Sequence, residues 1–299
     1  MHKHIGLVLF ASLLFACGVT CAELRIVAAT NDIAAIAQAV GGDRVSIDVV
    51  ARPDRDPHTV SVRPSTMRMT AKADLFLRVG LDLDLWSEDI VRGSRNRDLR
   101  TIDCSQAIQA TEIPQGKVDA SMGDVHPQGN PHYWLDPING IAVAHFLAQE
   151  FSTSSPQDRE LFQANARHFE ESIRTKLPTW EIRLAKVAFV EYHRSWVYLA
   201  ARFDMTIVGQ VEPLPGIPPT ARHLAELSAV IAQTGARVVV RDQFHNDSPV
   251  DFLQRETGIQ AVILASMCAE PTAESYLAHF DTITDALGSK STKKSPGAQ

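Results

Sequence analysis

Between residues 162 and 184 seven apolar side chains fall on one line. Phe162, Ala166, Phe169, Ile173, Leu177, Trp180 and Leu184 step by 4, 3, 4, 4, 3 and 4. That rhythm predicts a helix whose apolar stripe holds one face for more than six turns. Ser155-Pro156 marks a start, because proline suits the first helical turn. Pro178 removes a backbone donor inside the run and is expected to kink or interrupt it. A rod of roughly 25 to 30 residues is about 40 Å long. Such an element belongs either inside one large domain or between two smaller ones.

The flanks favour neither arrangement by themselves, but they do fix the class. Strand-like runs at 24–29, 45–50, 75–79 and 100–103 alternate with helical patterns near 32–40, 64–73 and 82–92. After the rod, runs at 187–191, 206–211, 238–241 and 261–264 alternate with patterns near 194–203, 219–234, 248–257 and 272–287. Strands alternating with helices imply parallel sheets built from crossover units. The expected fold is therefore α/β, with one small parallel (βα) sheet in each half. No internal sequence repeat accompanies the shared pattern.

The chain's histidines are the chemical signal. His58 lies in Asp56-Pro57-His58-Thr59, after the apolar run 45–50. His132 lies in Gly129-Asn130-Pro131-His132-Tyr133-Trp134-Leu135-Asp136-Pro137. His193 lies in Glu191-Tyr192-His193-Arg194-Ser195-Trp196, at the end of the run 187–191. Each sits at a strand-to-helix junction, where α/β folds collect ligands. Three converging imidazoles make a nitrogen-rich site of the kind zinc favours. Spacing alone does not show convergence, and each could serve as an ordinary loop histidine. Asp136-Pro137 reads as an N-cap and first-turn proline for the next helix.

These three motifs, followed by Val211-Glu212-Pro213-Leu214-Pro215-Gly216-Ile217-Pro218-Pro219, occur in an order that resembles the substrate-binding proteins of ABC transporters for zinc and manganese. Gly41-Gly42-Asp43-Arg44-Val45 and Ala71-Lys72-Ala73-Asp74-Leu75 fit the same family, and the likeness covers roughly residues 24 to 287. The resemblance implies two lobes (23–152 and 187–288) joined by one long helix (153–186), with a metal site in the cleft between them. It implies a protein that captures a divalent cation outside the cytoplasm and passes it to a membrane permease. A packed helix as the connector implies small lobe shifts rather than a wide hinge motion.

His58, His132 and His193 are the ligands the resemblance implies. Many relatives that prefer manganese have a carboxylate at the third step. Histidine there favours zinc as the transported ion over manganese, since imidazole suits zinc and carboxylate suits manganese. The fourth ligand departs from the pattern. Where many relatives carry aspartate after the last strand, this chain has Val262-Ile263-Leu264-Ala265-Ser266, and Ala265 cannot ligate. Asp242, at the carboxyl end of its strand, is the expected fourth ligand, with Glu212, His245, Cys268 or water as alternatives. Glu191 is expected to point away, orienting a ligand or facing solvent. His126, His145, His168, His223 and His279 are assigned no ligand role, with a transient metal contact left as the alternative for His126. The stretch 111–130 holds only His126 and lacks the histidine-rich tract that many zinc-binding relatives carry there.

The first 22 residues read as a secretory signal, with a basic start at Met1-His2-Lys3-His4, an apolar run too short to span a bilayer, and a small-residue site at Thr20-Cys21-Ala22. Cleavage there leaves Glu23 first. Leu14-Phe15-Ala16-Cys17 offers a lipid-anchored alternative, disfavoured by its bulky Phe15. Cys104 and Cys268 fall in different halves and are expected unpaired. The formal charge is −6, and the two ends contribute Lys3, Lys290, Lys293 and Lys294 with no acids, which leaves about −10 between them. That surface argues against nucleic acid as a partner and suits a soluble protein that collects cations; a monomer is expected. Residues 289–299 read as a polar, disordered tail. A zinc hydrolase and a surface adhesin of the same fold are the competing readings. Against the first, there is no His-Glu-x-x-His and no Gly-x-Ser-x-Gly.

Overall fold

The structure is a computed structural model and describes residues 23–291. The signal segment, Cys17 and residues 292–299 lie outside the described residues.

In chain order the first half contains β1 (Leu24–Ala28), α1 (Asn31–Gly41), β2 (Val45–Val49), α2 (Pro64–Thr70), β3 (Leu75–Arg78), α3 (Trp86–Ser94), β4 (Arg100–Asp103) and α4 (Pro137–Ser154). A single 3-10 turn, Pro156–Asp158, leads into α5 (Arg159–Leu184). The second half contains β5 (Ala188–Glu191), α6 (Val197–Arg202), β6 (Thr206–Gln210), α7 (Ala221–Thr234), β7 (Val238–Arg241), α8 (Asp247–Thr257), β8 (Gln260–Ile263) and α9 (Ala273–Ser291).

Each half folds into a four-stranded, wholly parallel sheet. The orders are β2-β1-β3-β4 and β6-β5-β7-β8, so the two halves repeat one topology despite their different sequences. In both, the first strand has its successor on one side and the third strand on the other. The chain therefore reverses direction across the sheet beside β1 and beside β5. Loops at the carboxyl ends of those strands part there and leave a crevice. The buried runs that face helices on both sides, such as β3 (Leu75, Phe76, Leu77) and β7 (Val238, Val239, Val240), explain why these strands read as continuous apolar stretches.

The stripe seen in the sequence is the buried face of α5. Phe162, Ala166, Phe169, Ile173, Trp180 and Leu184 are buried, and Leu177 is partly so. The helix continues unbroken through Pro178 for 26 residues, so the expected interruption is absent. The lost donor at Pro178 is one bond in a long ladder, and packing against α1, α4 and α9 outweighs it. Trp180 also donates from Nε1 to Asp281 Oδ1 on α9 (2.9 Å). α9 itself continues to Ser291, three residues into the stretch read as disordered tail. Its apolar face, including Tyr276, Phe280, Ile283 and Leu287, carries the helix past the point where composition turns polar.

Further bonds tie the halves together. Asn31 Nδ2 donates to the carbonyls of Cys268 and Ala269 (3.1 and 2.7 Å), and Cys268 N donates to Asp32 Oδ1 (3.1 Å). Trp134 Nε1 donates to Ser266 O (2.7 Å), and Tyr276 Oη donates to Trp134 O (2.8 Å). Cys104 and Cys268 are buried free thiols. Among the described residues no helix is long and apolar enough to cross a membrane.

Candidate metal centre

His58 and His132 are held by the same local device. In Asp56-Pro57-His58, the Asp56 Oδ1 accepts from the His58 backbone N (2.9 Å) and lies 2.8 Å from its ring Nδ1. In Asn130-Pro131-His132, the Asn130 Oδ1 accepts from the His132 backbone N (3.0 Å) and lies 2.9 Å from its Nδ1. The acceptor two residues upstream forms an Asx turn, and the intervening proline stiffens it. The second grip then sets the ring. An oxygen beside Nδ1 places the proton there and leaves Nε2 with a free lone pair.

Neighbouring elements fix these turns in space. Trp86 Nε1 donates to Pro57 O (2.9 Å) under the His58 loop. Asn130 Nδ2 donates across the cleft to Arg194 O (2.8 Å), and Tyr198 Oη donates to Asn130 O (2.8 Å). Asp136 caps α4 by accepting from Ile138 N (2.9 Å) and takes both Arg202 Nε and Nη2 (2.8 and 2.9 Å).

His193 follows β5, beside the point where its sheet reverses. Its Nδ1 lies 2.8 Å from Glu212 Oε2, which again leaves Nε2 free. The three side chains converge, with ring centroids 5.1 to 5.4 Å apart. One ligand atom from each falls within 4.8 Å of the others, and this is the one such group of three among the described residues. A tetrahedral zinc with bonds of about 2.1 Å holds its nitrogens roughly 3.4 Å apart, so a contraction of at most about 1.4 Å closes the set on one ion. His58 Nε2 is buried with no hydrogen-bond partner, as a waiting lone pair is.

The electrostatics suit a cation. Burial, reinforced by His58 and His193 nearby, holds His132 neutral far below the usual imidazole range. Burial pushes the Asp56 carboxyl up, but its bonds to His58 outweigh that and carry it down to about 2. The site thus keeps an anionic carboxylate behind the His58 ring, an arrangement that strengthens a metal-bound imidazole.

Asp242 stands at the end of β7 in the wall of the same cavity, about 60 Å³, that contains His58, His132 and His193. It is not one of the three groups whose ligand atoms lie within 4.8 Å of each other. Its Oδ1 accepts from Ser266 N (2.8 Å), and burial raises its carboxyl to about 7. Glu212 is engaged with His193. His245 accepts from Asp242 N through Nδ1 (3.1 Å) and stacks on Tyr192 with centroids 4.2 Å apart. Cys268 is held on the Asp32 side of its loop. Glu191 does not face solvent: it is fully buried, accepts from Trp196 N and Gln210 Nε2, and is raised by burial to about 7.

Three residues escaped the sequence reading. Asp56 and Asn130 were legible as a repeated acceptor-Pro-His pattern. His126 was not, because a long loop brings it in: its ring stacks on His58 with centroids 5.4 Å apart, and its Nε2 is buried and unpartnered. Of the other histidines, His145 lies beside Glu170 and His223 is bonded to Gln210 O.

Comparison with known proteins bears on the whole chain. The family described as ZnuA, zinc-uptake complex component A periplasmic, matches residues 26–289. The zinc-binding lipoprotein AdcA of Streptococcus pneumoniae is 21% identical over 288 residues, covering 93% of this chain and 58% of that protein. The iron-binding protein YfeA of Yersinia pestis is 23% identical over 250 residues, covering 81% of this chain and 76% of that one. The chain thus spans less than two thirds of the AdcA protein it matches. The crystal structure of ZnuA superposes with a TM-score of 0.77 at 21% identity, over 89% of this chain and 99% of that one. The shared fold is the two-lobe, parallel-sheet architecture with a long helix.

Proposed function

The chain belongs to the zinc-uptake complex component A family, and from that premise we propose that it captures one zinc ion on His58, His132 and His193 and delivers it to an ABC permease. The observation that carries this is the shared orientation of the three rings. Asp56, Asn130 and Glu212 each occupy an Nδ1, and each leaves an Nε2 for the ion. Three imidazole ligands favour zinc over manganese. The name of the iron-binding relative makes the choice of ion a matter for measurement.

The fourth position belongs to Asp242, whose carboxylate reaches the cavity from the end of β7. A carboxylate there offsets part of the charge of an ion held by neutral ligands. The protein works in the periplasm as a monomer after removal of residues 1–22, with lobes at 23–152 and 187–288 and the linker at 153–186. It is a carrier rather than an enzyme, as the names of its relatives suggest.

Metal analysis of protein purified without an affinity tag, followed by competition between zinc and manganese, tests the reading. One zinc per chain is expected. His58→Ala, His132→Ala and His193→Ala should each weaken zinc binding by orders of magnitude. A His132→Ala protein that binds zinc like wild type overturns the assignment.

A further inference from the structure

Two loops from opposite lobes meet over the cavity. Asp124 N donates to Pro215 O (2.8 Å), which joins the 119–126 loop of the first lobe to the 212–217 turn of the second. Both sides need glycine at the junction. Gly123 has φ +67°, and a Cβ there would lie 2.1 Å from Pro215 O. Gly216 has φ +74°, and a Cβ there would lie 2.2 Å from Asp124 Oδ2. No other residue adopts these torsions and this approach without strain. Asp124 and Gly216 line the inner cavity, while Asp124 and Pro215 line an outer pocket of about 360 Å³. His132 and His193 line both spaces, so the junction stands beside the histidines where the two meet.

One residue connects that junction to the ion. The same Glu212 Oε2 that lies against His193 Nδ1 accepts from Gly216 N (2.8 Å). A metal on His193 Nε2 holds the ring in place, and so holds the Nδ1 against which Glu212 rests. The carboxylate is then held in the position from which it pins Gly216, and Gly216 carries Pro215 O to Asp124. Resting on the metal-binding reading above, we propose that Glu212 is a positioning residue that couples metal occupancy to a gate, the Gly123-Asp124/Pro215-Gly216 junction, so that the bound ion holds its own exit shut. Coupling of this kind is reciprocal. If zinc stabilises the closed junction, the closed junction must slow zinc release.

Hydrogen exchange of the full chain, with and without saturating zinc, reads the coupling directly. In wild type, zinc should slow exchange at 119–126 and 212–217. Glu212→Ala keeps three histidines and, though it should hold zinc more weakly, is loaded at saturating zinc, where it should lack that protection; Glu212→Gln, which retains an acceptor oxygen, should restore it. Zinc release into excess chelator supplies the second readout. Gly216→Ala should speed release by about tenfold, the scale on which outer-shell contacts act at metal sites. Added to Glu212→Ala, it should speed release little further, because the connection is already cut. Zinc protection in Glu212→Ala equal to wild type, or effects that multiply in the double variant, overturns the proposal. Should Glu212→Ala not fold, Gly216→Ala decides alone: release at the wild-type rate overturns it. Absence of zinc binding by wild type would instead sink the proposed function, so the two failures are distinct.

Discussion

Asp56 holds His58 twice with one oxygen, at 2.9 Å to the backbone N and 2.8 Å to the ring Nδ1. The pair fixes both the backbone and the ring of a loop residue. Asp56→Ala should lower zinc affinity about 10- to 100-fold without unfolding the protein, as loss of such a partner does at other metal sites. Titration against a chromogenic chelator, beside far-ultraviolet circular dichroism, checks both halves of that statement. An unchanged affinity means the ring is held by its surroundings alone.

Asn130 performs the same double grip on His132 and also reaches Arg194 O in the other lobe. Asn130→Ala should therefore lose more than Asp56→Ala: affinity falls and the melting temperature of the metal-free protein falls too. Equal melting temperatures for wild type and variant would show that the bond across the cleft adds nothing to stability.

The fourth position can be assigned by comparison among variants. Asp242→Asn should reduce zinc affinity markedly more than His245→Ala or Cys268→Ser. His245 is committed through Nδ1 to a backbone donor, and Cys268 faces Asp32. A structure of the zinc form with Asp242 remote from the ion, and water in its place, refutes the assignment.

His279 makes stability depend on pH. Its ring Nε2 is buried without a partner, and burial lowers its pKa from 6.5 to about 4. The unfolded chain takes up this proton first. The contribution is fully present above pH 6.5 and is lost as pH falls from 6.5 toward 4. His279→Leu should remove that part of the slope, on the order of 2 kcal/mol at pH 4 after allowing for the ring's partial exposure. Melting curves of both proteins across this range would show parallel behaviour if the ring did not titrate so.

Asp136 serves α4 and α6 at once, as N-cap and as the bidentate partner of Arg202. Asp136→Ala should destabilise by about 2 kcal/mol, most of it from the lost cap. Arg202→Ala should cost less, since the cap remains. Reversal of that order in chemical denaturation would put the weight on the ion pair.

The periodic parts of the fold were legible because period reports burial. The α5 stripe, the alternation of strands and helices, and the cap at Asp136-Pro137 all rest on contacts within a few residues or on a helix face. Helix α3 begins at Trp86, later than its pattern suggests, because Leu81 and Asp82 take positive φ and end the apolar rhythm as a turn. The burial of Glu191 was illegible, since its partners Trp196 N and Gln210 come from two different elements. The same holds for the site. The three histidines were marked by their junctions, and the repeated Asx turn could have been read from Asp56-Pro57-His58 and Asn130-Pro131-His132. The junction of Gly123 and Gly216 could not, because it exists only once two distant loops are brought together.

Helix α9, the last of the described helices, packs against α1, the first of them, and against α5 between the two halves. Tyr276 on α9 and Ser266 just before it also hold the Trp134 that follows His132. A nascent chain that has produced all three histidines still lacks the surface that seals them. On the metal-binding reading, a copy cut short before α9 retains the ligands without the vessel.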